Sequence, residues 1–270
     1  MTLVEARNTA LDVPDMNHRV LVGGRRTRRI LQPLSLSIAQ GESVGIVGES
    51  GSGKTSLGRM LIRLHEPAEG QLLFDGQDIT HAAPAALKPL RRRMQMIFQD
   101  PQSSLNPRRT VGSILAGALA LHGLDDSARA IAGLLDRVGL PASASERYPH
   151  QLSGGQRQRV GIARAISLKP DFVVADEIVS GLDVSTQAQV LDLLTSLRAE
   201  MGLTLAFISH DLSVVRHLCE RVVIMQSGEI VETGATAQVF AAPVTAFTRR
   251  LIDSIPLPDI TPGWLEAVSE

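Results

Sequence analysis

The run SVGIVG, residues 43–48, leads directly into GESGSGKT, Gly48–Thr55, and this junction constrains the chain more than any other segment. Short and apolar after Ser43, the run predicts a buried strand. Leu57, Met60, Leu61 and Leu64, at i, i+3, i+4 and i+7, predict an amphipathic helix behind it. The residues between fit G-x-x-x-x-G-K-[ST] in the strand–loop–helix setting that such a loop needs. Gly48, Gly51 and Gly53 let successive backbone N–H groups curl around phosphate oxygens, and the helix adds the positive end of its dipole. Glu49, Ser50, Ser52 and Ser56 belong to the same nucleotide-binding segment. Lys54 would neutralise β- and γ-phosphate charge, and the Thr55 hydroxyl would ligate Mg2+.

A chain that grips a triphosphate next needs an acid for the metal and a group to activate water. Both are offered by VVADE, residues 173–177, where an apolar run ends in Asp176 and Glu177. Taken alone, an Asp–Glu pair is commonplace at a solvated strand end; behind a phosphate loop it gains a chemical reading. Side chains alternate in direction along a strand, so adjacent acids suit two separate jobs. Asp176 would hold Mg2+ and Glu177 would polarise the attacking water. His210, at the end of the later apolar run AFISHD, is placed to contact the γ-phosphate or fix that water.

The rest of the chain predicts an α/β fold. At 270 residues and 44% hydrophobic it can bury a large core. GQLLFDGQDI (70–79) reads as a hairpin turning at Asp75–Gly76, and MQMIF (94–98) as a strand. Residues from Pro101 to about Arg159 turn helical, with VGSILAGALALHG and SARAIAGLLDRVG each ending at a glycine. Strand and helix then alternate again: a helix at about 185–200 bearing Val190, Leu191, Leu194 and Leu197, the strand LTLAFIS, the helix LSVVRHLCE and the strand RVVIMQ. Ser227–Gly228 turns into EIVETG, and the tail after Phe240 reads as a short helix with an irregular, proline-punctuated end. The expected division is a core of residues 1–98 and 160–238, a helical subdomain at 99–159 and an extension at 239–270.

Composition excludes several classes. The net charge of −1 supplies no global field for nucleic acid or an anionic membrane. The clusters Arg25–Arg29, Arg91–Arg93 and Arg108–Arg109 read mostly as solvated surface. A single cysteine, Cys219, rules out a disulfide framework within the chain and suits a reducing compartment. The first twenty residues do not read as a secretory signal, and no run approaches the roughly 18–20 apolar residues of a membrane span. Work at a membrane would be done from its side.

LSGGQRQR, Leu152–Arg159, makes a resemblance specific. Together with Gly48–Thr55, Gln99 in IFQDP, VVADE, SGLD ending at Asp183, and SHD at His210, it resembles the ATP-binding-cassette ATPases, with the motifs in that family's order over roughly residues 30–235. The resemblance implies a P-loop NTPase (RecA-like) core with an antiparallel β subdomain and an inserted α-helical subdomain. It also implies ATP and Mg2+ as ligands. Ser153, Gly154, Gly155 and Gln156 open a helix and offer a second anion site; in the family this segment closes over the ATP of a partner cassette, and Asp183 sits at the same interface. Gln99 would touch Mg2+ and relay nucleotide state to the helical subdomain, which docks a membrane subunit.

FQDPQSSLNPR (98–108) and VFAAPVTAFTRRLIDSIP (239–256) are similar to the ATPases of bacterial oligopeptide, dipeptide and nickel importers. That class implies a second cassette, homologous or identical, integral membrane permeases, an extracytoplasmic solute-binding protein acting indirectly, no nucleic acid, and a peripheral place on the cytoplasmic face of the inner membrane. Three positions depart from the pattern. Val13 stands where an aromatic usually stacks on adenine, Ile178 where a proline follows the catalytic acid, and Thr245-Ala246-Phe247-Thr248 where His-Pro-Tyr-Thr is usual. Ile178 predicts a turn held by packing rather than by ring geometry. A cassette that mainly binds ATP beside a more active partner, and a soluble non-transport cassette, are the alternative readings.

Overall fold

The computed structural model describes residues 1–14, 27–100 and 104–254. The prolines expected to punctuate the far tail (Pro256, Pro258, Pro262), residues 101–103 of the FQDPQSSLNPR segment, and Arg25 and Arg26 lie outside the described residues.

Two sheets carry the fold. Strands β1 (Thr2–Pro14), β2 (Thr27–Ala39), β4 (Glu69–Phe74) and β5 (Gln77–Asp78) form an antiparallel sheet in the order β2-β1-β4-β5. The second sheet runs β10-β9-β3-β8-β7-β6, built from β3 (Ser43–Gly48), β6 (Met94–Ile97), β7 (Phe172–Asp176), β8 (Thr204–Ser209), β9 (Arg221–Gln226) and β10 (Glu229–Ala235). All its neighbours are parallel except β9 and β10, which the Ser227–Gly228 turn folds back. Both residues of that turn have positive φ (50° and 85°), as do Asp75 and Gly76 (52° and 76°) in the β4–β5 hairpin.

Continuous apolar runs mark β3, β7 and β8 because both faces of the sheet are covered. On one face Val47, Val173, Ala175, Leu205 and Phe207 join a core with helices α3 (Val111–Leu121), α4 (Ala128–Arg137), α5 (Gly154–Ile166), α6 (Val184–Met201) and α7 (Leu212–Leu218). On the other, Val44, Ile46, Phe172, Val174 and Ile208 pack on α1 (Lys54–Leu61) and the antiparallel sheet. The strands' period of two therefore decides which layer each side chain serves.

Several details differ from the sequence reading. The first helix stops at Leu61; Arg63 adopts φ 55°, and Leu64, expected on the apolar face, is 46% exposed. Helix α2 (Pro84–Arg93) runs through Pro89. The tail forms two short helices, α8 (Thr236–Ala241) and α9 (Ala246–Asp253). Thr245 caps the latter by accepting from Thr248 N (3.0 Å), while Glu232 accepts from Val244 N and Thr245 N (2.9 and 3.0 Å), tying the tail to β10. The expected subdomain edge at residue 159 falls inside α5, a continuous helix. Among the described residues no helix is long and apolar enough to cross a membrane.

Candidate functional site

The loop after β3 is shaped by glycine. Gly51 and Gly53 take φ of 80° and 99°, and at Gly48 a Cβ would lie 2.2 Å from Met225 O. Gly53 caps α1 without any side-chain acceptor, leaving the first-turn N–H groups free for an anion. Ser52 Oγ is buried with no partner. Ser52 O accepts from Gly228 N (3.0 Å), so the β9–β10 turn clamps the loop from behind.

Lys54 is 5% exposed and donates through Nζ to Gly48 O and Glu49 O, both at 2.8 Å. Burial lowers its pKa, against the pull of the Glu177 and Asp176 carboxylates. Thr55 Oγ1 donates to Asp176 Oδ1 (2.9 Å), a bond that spans the loop and the end of β7. Asp176 is 2% exposed and burial raises its pKa, with the Thr55 hydrogen bond acting in the opposite sense. A cation at this spot would relieve the same desolvation. Thr55, Asp176 and the side-chain oxygen of Gln99 are hard oxygen donors of the kind Mg2+ takes, so the residues present fit that ion.

Glu177 turns away from Asp176. Its φ is 45°, its N–H donates to Ile208 O (2.9 Å), and its Oε2 accepts from Gln99 Nε2 (2.9 Å). His210 Nδ1 lies 3.6 Å from the same oxygen. Residues 49, 50, 51 and 99 are exposed and Glu177 is half-buried, so the constellation opens to solvent. A cleft of about 390 Å3 is lined by Ser50, Gly51, Gly53–Ser56, Gln99 and Glu177, together with Arg28 and Ile30 of β2. The last two escaped the sequence reading, because only the stacking of one sheet on the other brings them beside the loop. Val13, at the position where an aromatic is usual, pairs with Arg28 across β1 and β2 and packs on the core shared by α1 and the antiparallel sheet.

Ile178 is 1% exposed and belongs, with Val179, to the helical-side core. Packing thus holds the turn that follows Glu177. Ile178→Ala is expected to cost about 2–5 kcal/mol of stability, from lost burial and the residual cavity, read by chemical denaturation.

A second cluster does not line the cleft. Ser153 Oγ accepts from Gln156 N (3.2 Å) while Gln156 Oε1 accepts from Ser153 N (3.0 Å), a reciprocal capping box at the start of α5. Asp183 caps α6, accepting from Thr186 N (2.9 Å), Thr186 Oγ1 and Ser185 Oγ (2.7 Å each); these bonds hold its pKa down at about 2. The two caps interlock, since a Cβ on Gly155 would meet Thr186 Cγ2 at 2.3 Å.

Comparison with known proteins identifies the family. Residues 31–180 match the family model for ABC transporters. A Brucella ovis protein named for peptide import and ATP binding is 50% identical over 236 residues, covering 86% of this chain and 74% of that protein. The oligopeptide transport ATP-binding protein OppF of Bacillus subtilis is 46% identical over 241 residues, covering 87% and 79%. Among solved structures, the dimeric ATP-binding cassette MJ0796, in a post-hydrolysis state bound to ADP and Pi, superposes with a TM-score of 0.75 at 28% identity, covering 87% of this chain and 99% of that one. With a nucleotide loop, a paired-acid strand end and this kinship, the chain belongs to the ABC transporter family and is an ATP-binding, ATP-hydrolysing subunit of it.

Proposed function

We propose that this chain powers a bacterial peptide importer as one of two cassettes, on the cytoplasmic face of the inner membrane. The observation that carries the reading is the meeting of Gln99, Glu177 and His210 beside the Gly48–Thr55 loop. Loop N–H groups and Lys54 hold the triphosphate; Glu177 orients and polarises the attacking water, with His210 steadying the γ-phosphate end. Thr55, Gln99 and Asp176 would hold Mg2+, which when bound would supply neutralisation of the phosphate charge. Ser153–Gln156 and Asp183 face a second cassette, homologous or identical, and close its nucleotide site; ATP binding draws the pair together and hydrolysis reopens it.

The membrane partner has a natural seat. A groove of about 570 Å3 is lined by Leu64, Arg91, Met96, Phe98 and Arg164, one residue from Gln99. Leu64, unused by the core, supplies apolar surface there, so a short helix from a permease docks where nucleotide state is felt. Peptide rather than nickel is the cargo we infer, because the Brucella and Bacillus relatives are named for peptides. The deciding experiment is to co-purify this chain with its membrane subunits, reconstitute them in lipid nanodiscs, and add solute-binding protein loaded with peptide or with Ni2+. Peptide is expected to raise ATP hydrolysis severalfold; stimulation by Ni2+ alone would overturn the cargo, and stimulation by nucleic acid without membrane subunits would overturn transport.

A further inference from the structure

The wall of the phosphate cleft has two chemistries. Gln99 and Glu177 form one part; Arg28 and Ile30, on alternate positions of β2, form the other. β2 is fixed at this height by backbone bonds, Gln32 N to Gly228 O (3.0 Å) and Gly228 N to Ser52 O (3.0 Å), which string strand, turn and loop together. A nucleotide whose γ-phosphate faces Glu177 extends its base away from that residue, and the remaining wall is Arg28 and Ile30.

A purine needs a flat partner for its face, and the chain has few. Its six Phe, one Tyr and one Trp all lie at or beyond Phe74, and none of those among the described residues lines the cleft. Position 13, directly opposite Arg28 in the β1–β2 register, is valine. Arg28 differs from its neighbour: Arg29 is committed to Asp12 (2.6 Å) and Glu69 (2.5 Å), whereas Arg28 is exposed and has no ion pair or hydrogen bond among the described residues. Its guanidinium is planar and delocalised, and between Arg28 and Ile30 it is the flat group.

We propose that Arg28 is the base platform of the nucleotide site, its guanidinium lying against the purine face with Ile30 flanking it. The contact combines stacking with cation–π attraction. The inference rests on the reading of Gly48–Thr55 as the ATP loop. It is tested by binding alone, with ATP, ADP and inorganic triphosphate titrated against the intact wild-type chain and against Arg28→Ala, Arg28→Lys and Arg28→Tyr, with melting temperature as a folding control. Arg28→Ala is expected to weaken ATP and ADP on the order of ten- to hundredfold, leaving inorganic triphosphate within about twofold. Arg28→Tyr should restore nucleotide affinity, and Arg28→Lys should restore little of it. Equal loss for ATP and triphosphate, with full rescue by Lys, would make Arg28 a phosphate contact and overturn the platform. Unchanged ATP affinity in Arg28→Ala would also overturn it while leaving the loop reading intact; failure of the wild-type chain to bind ATP would remove the loop reading itself.

Discussion

Glu177→Gln is expected to cut ATP turnover by about 10²-fold or more, the usual worth of a positioned general base, while leaving ATP affinity within about threefold. The amide is nearly isosteric with the carboxylate, and its oxygen can still accept from Gln99 Nε2, which stands 2.9 Å from Glu177 Oε2 in the wild type. The buried neighbours Asp176 and Ile178 are untouched, so the strand end keeps its shape. What disappears is the negative oxygen that draws a proton from water. ATP then persists between paired cassettes, and a stable dimer should appear by size exclusion with ATP and be absent with ADP. Phosphate release measured alongside decides the matter: wild-type rates in the variant would take Glu177 out of the chemistry.

Lys54→Ala should act earlier, on binding. The ammonium is nearly buried, bridges two loop carbonyls, and is the positive charge facing both Asp176 and Glu177. Without it the bound phosphates would lose the ammonium that offsets Asp176 and Glu177, and Gly48 O and Glu49 O would lose their donor. An ATP dissociation constant raised by about 10²-fold or more, equivalent to about 2.7 kcal/mol, is the expected result by calorimetric titration. Lys54→Arg should rescue poorly, because a planar fork cannot replace a compact donor among those carbonyls. If Lys54→Ala keeps native affinity at an unchanged melting temperature, the loop does not bind phosphate through this residue.

Much of the architecture is written locally in the chain. β3, β7 and β8 are uninterrupted apolar runs because both faces are covered, and the Asp75–Gly76 hairpin announces itself through two positions that need positive φ. The loop is legible for the same reason: strand, glycines and helix are contiguous. β1 is not, since register shifts and Asn8 at φ 48° scramble its alternation into a burial pattern with no period of two. β2 carries a readable signal, with Leu34, Leu36 and Ile38 buried between exposed neighbours, but nothing in it says that its other end borders a nucleotide cleft. Leu64 misleads because periodicity continues past the point where Arg63 breaks the backbone. The contact of Gln99 with Glu177, 78 residues apart, is a property of the β6–β7 pairing and of no local pattern.

In the pairing proposed above, the interlock at Gly155 bears on how much disorder must be given up when two cassettes meet. Thr186 Cγ2 occupies the space a Cβ at position 155 would need, and Asp183 fixes Thr186 through both its N–H and its hydroxyl. Two segments almost thirty residues apart in sequence are thereby frozen into one surface before any partner arrives. Ordering each loose side chain at an interface typically costs about 0.5–1.5 kcal/mol, and a surface already set avoids that cost. In the proposed pair, association would then answer to the nucleotide between the cassettes, with little of its free energy spent on straightening the protein.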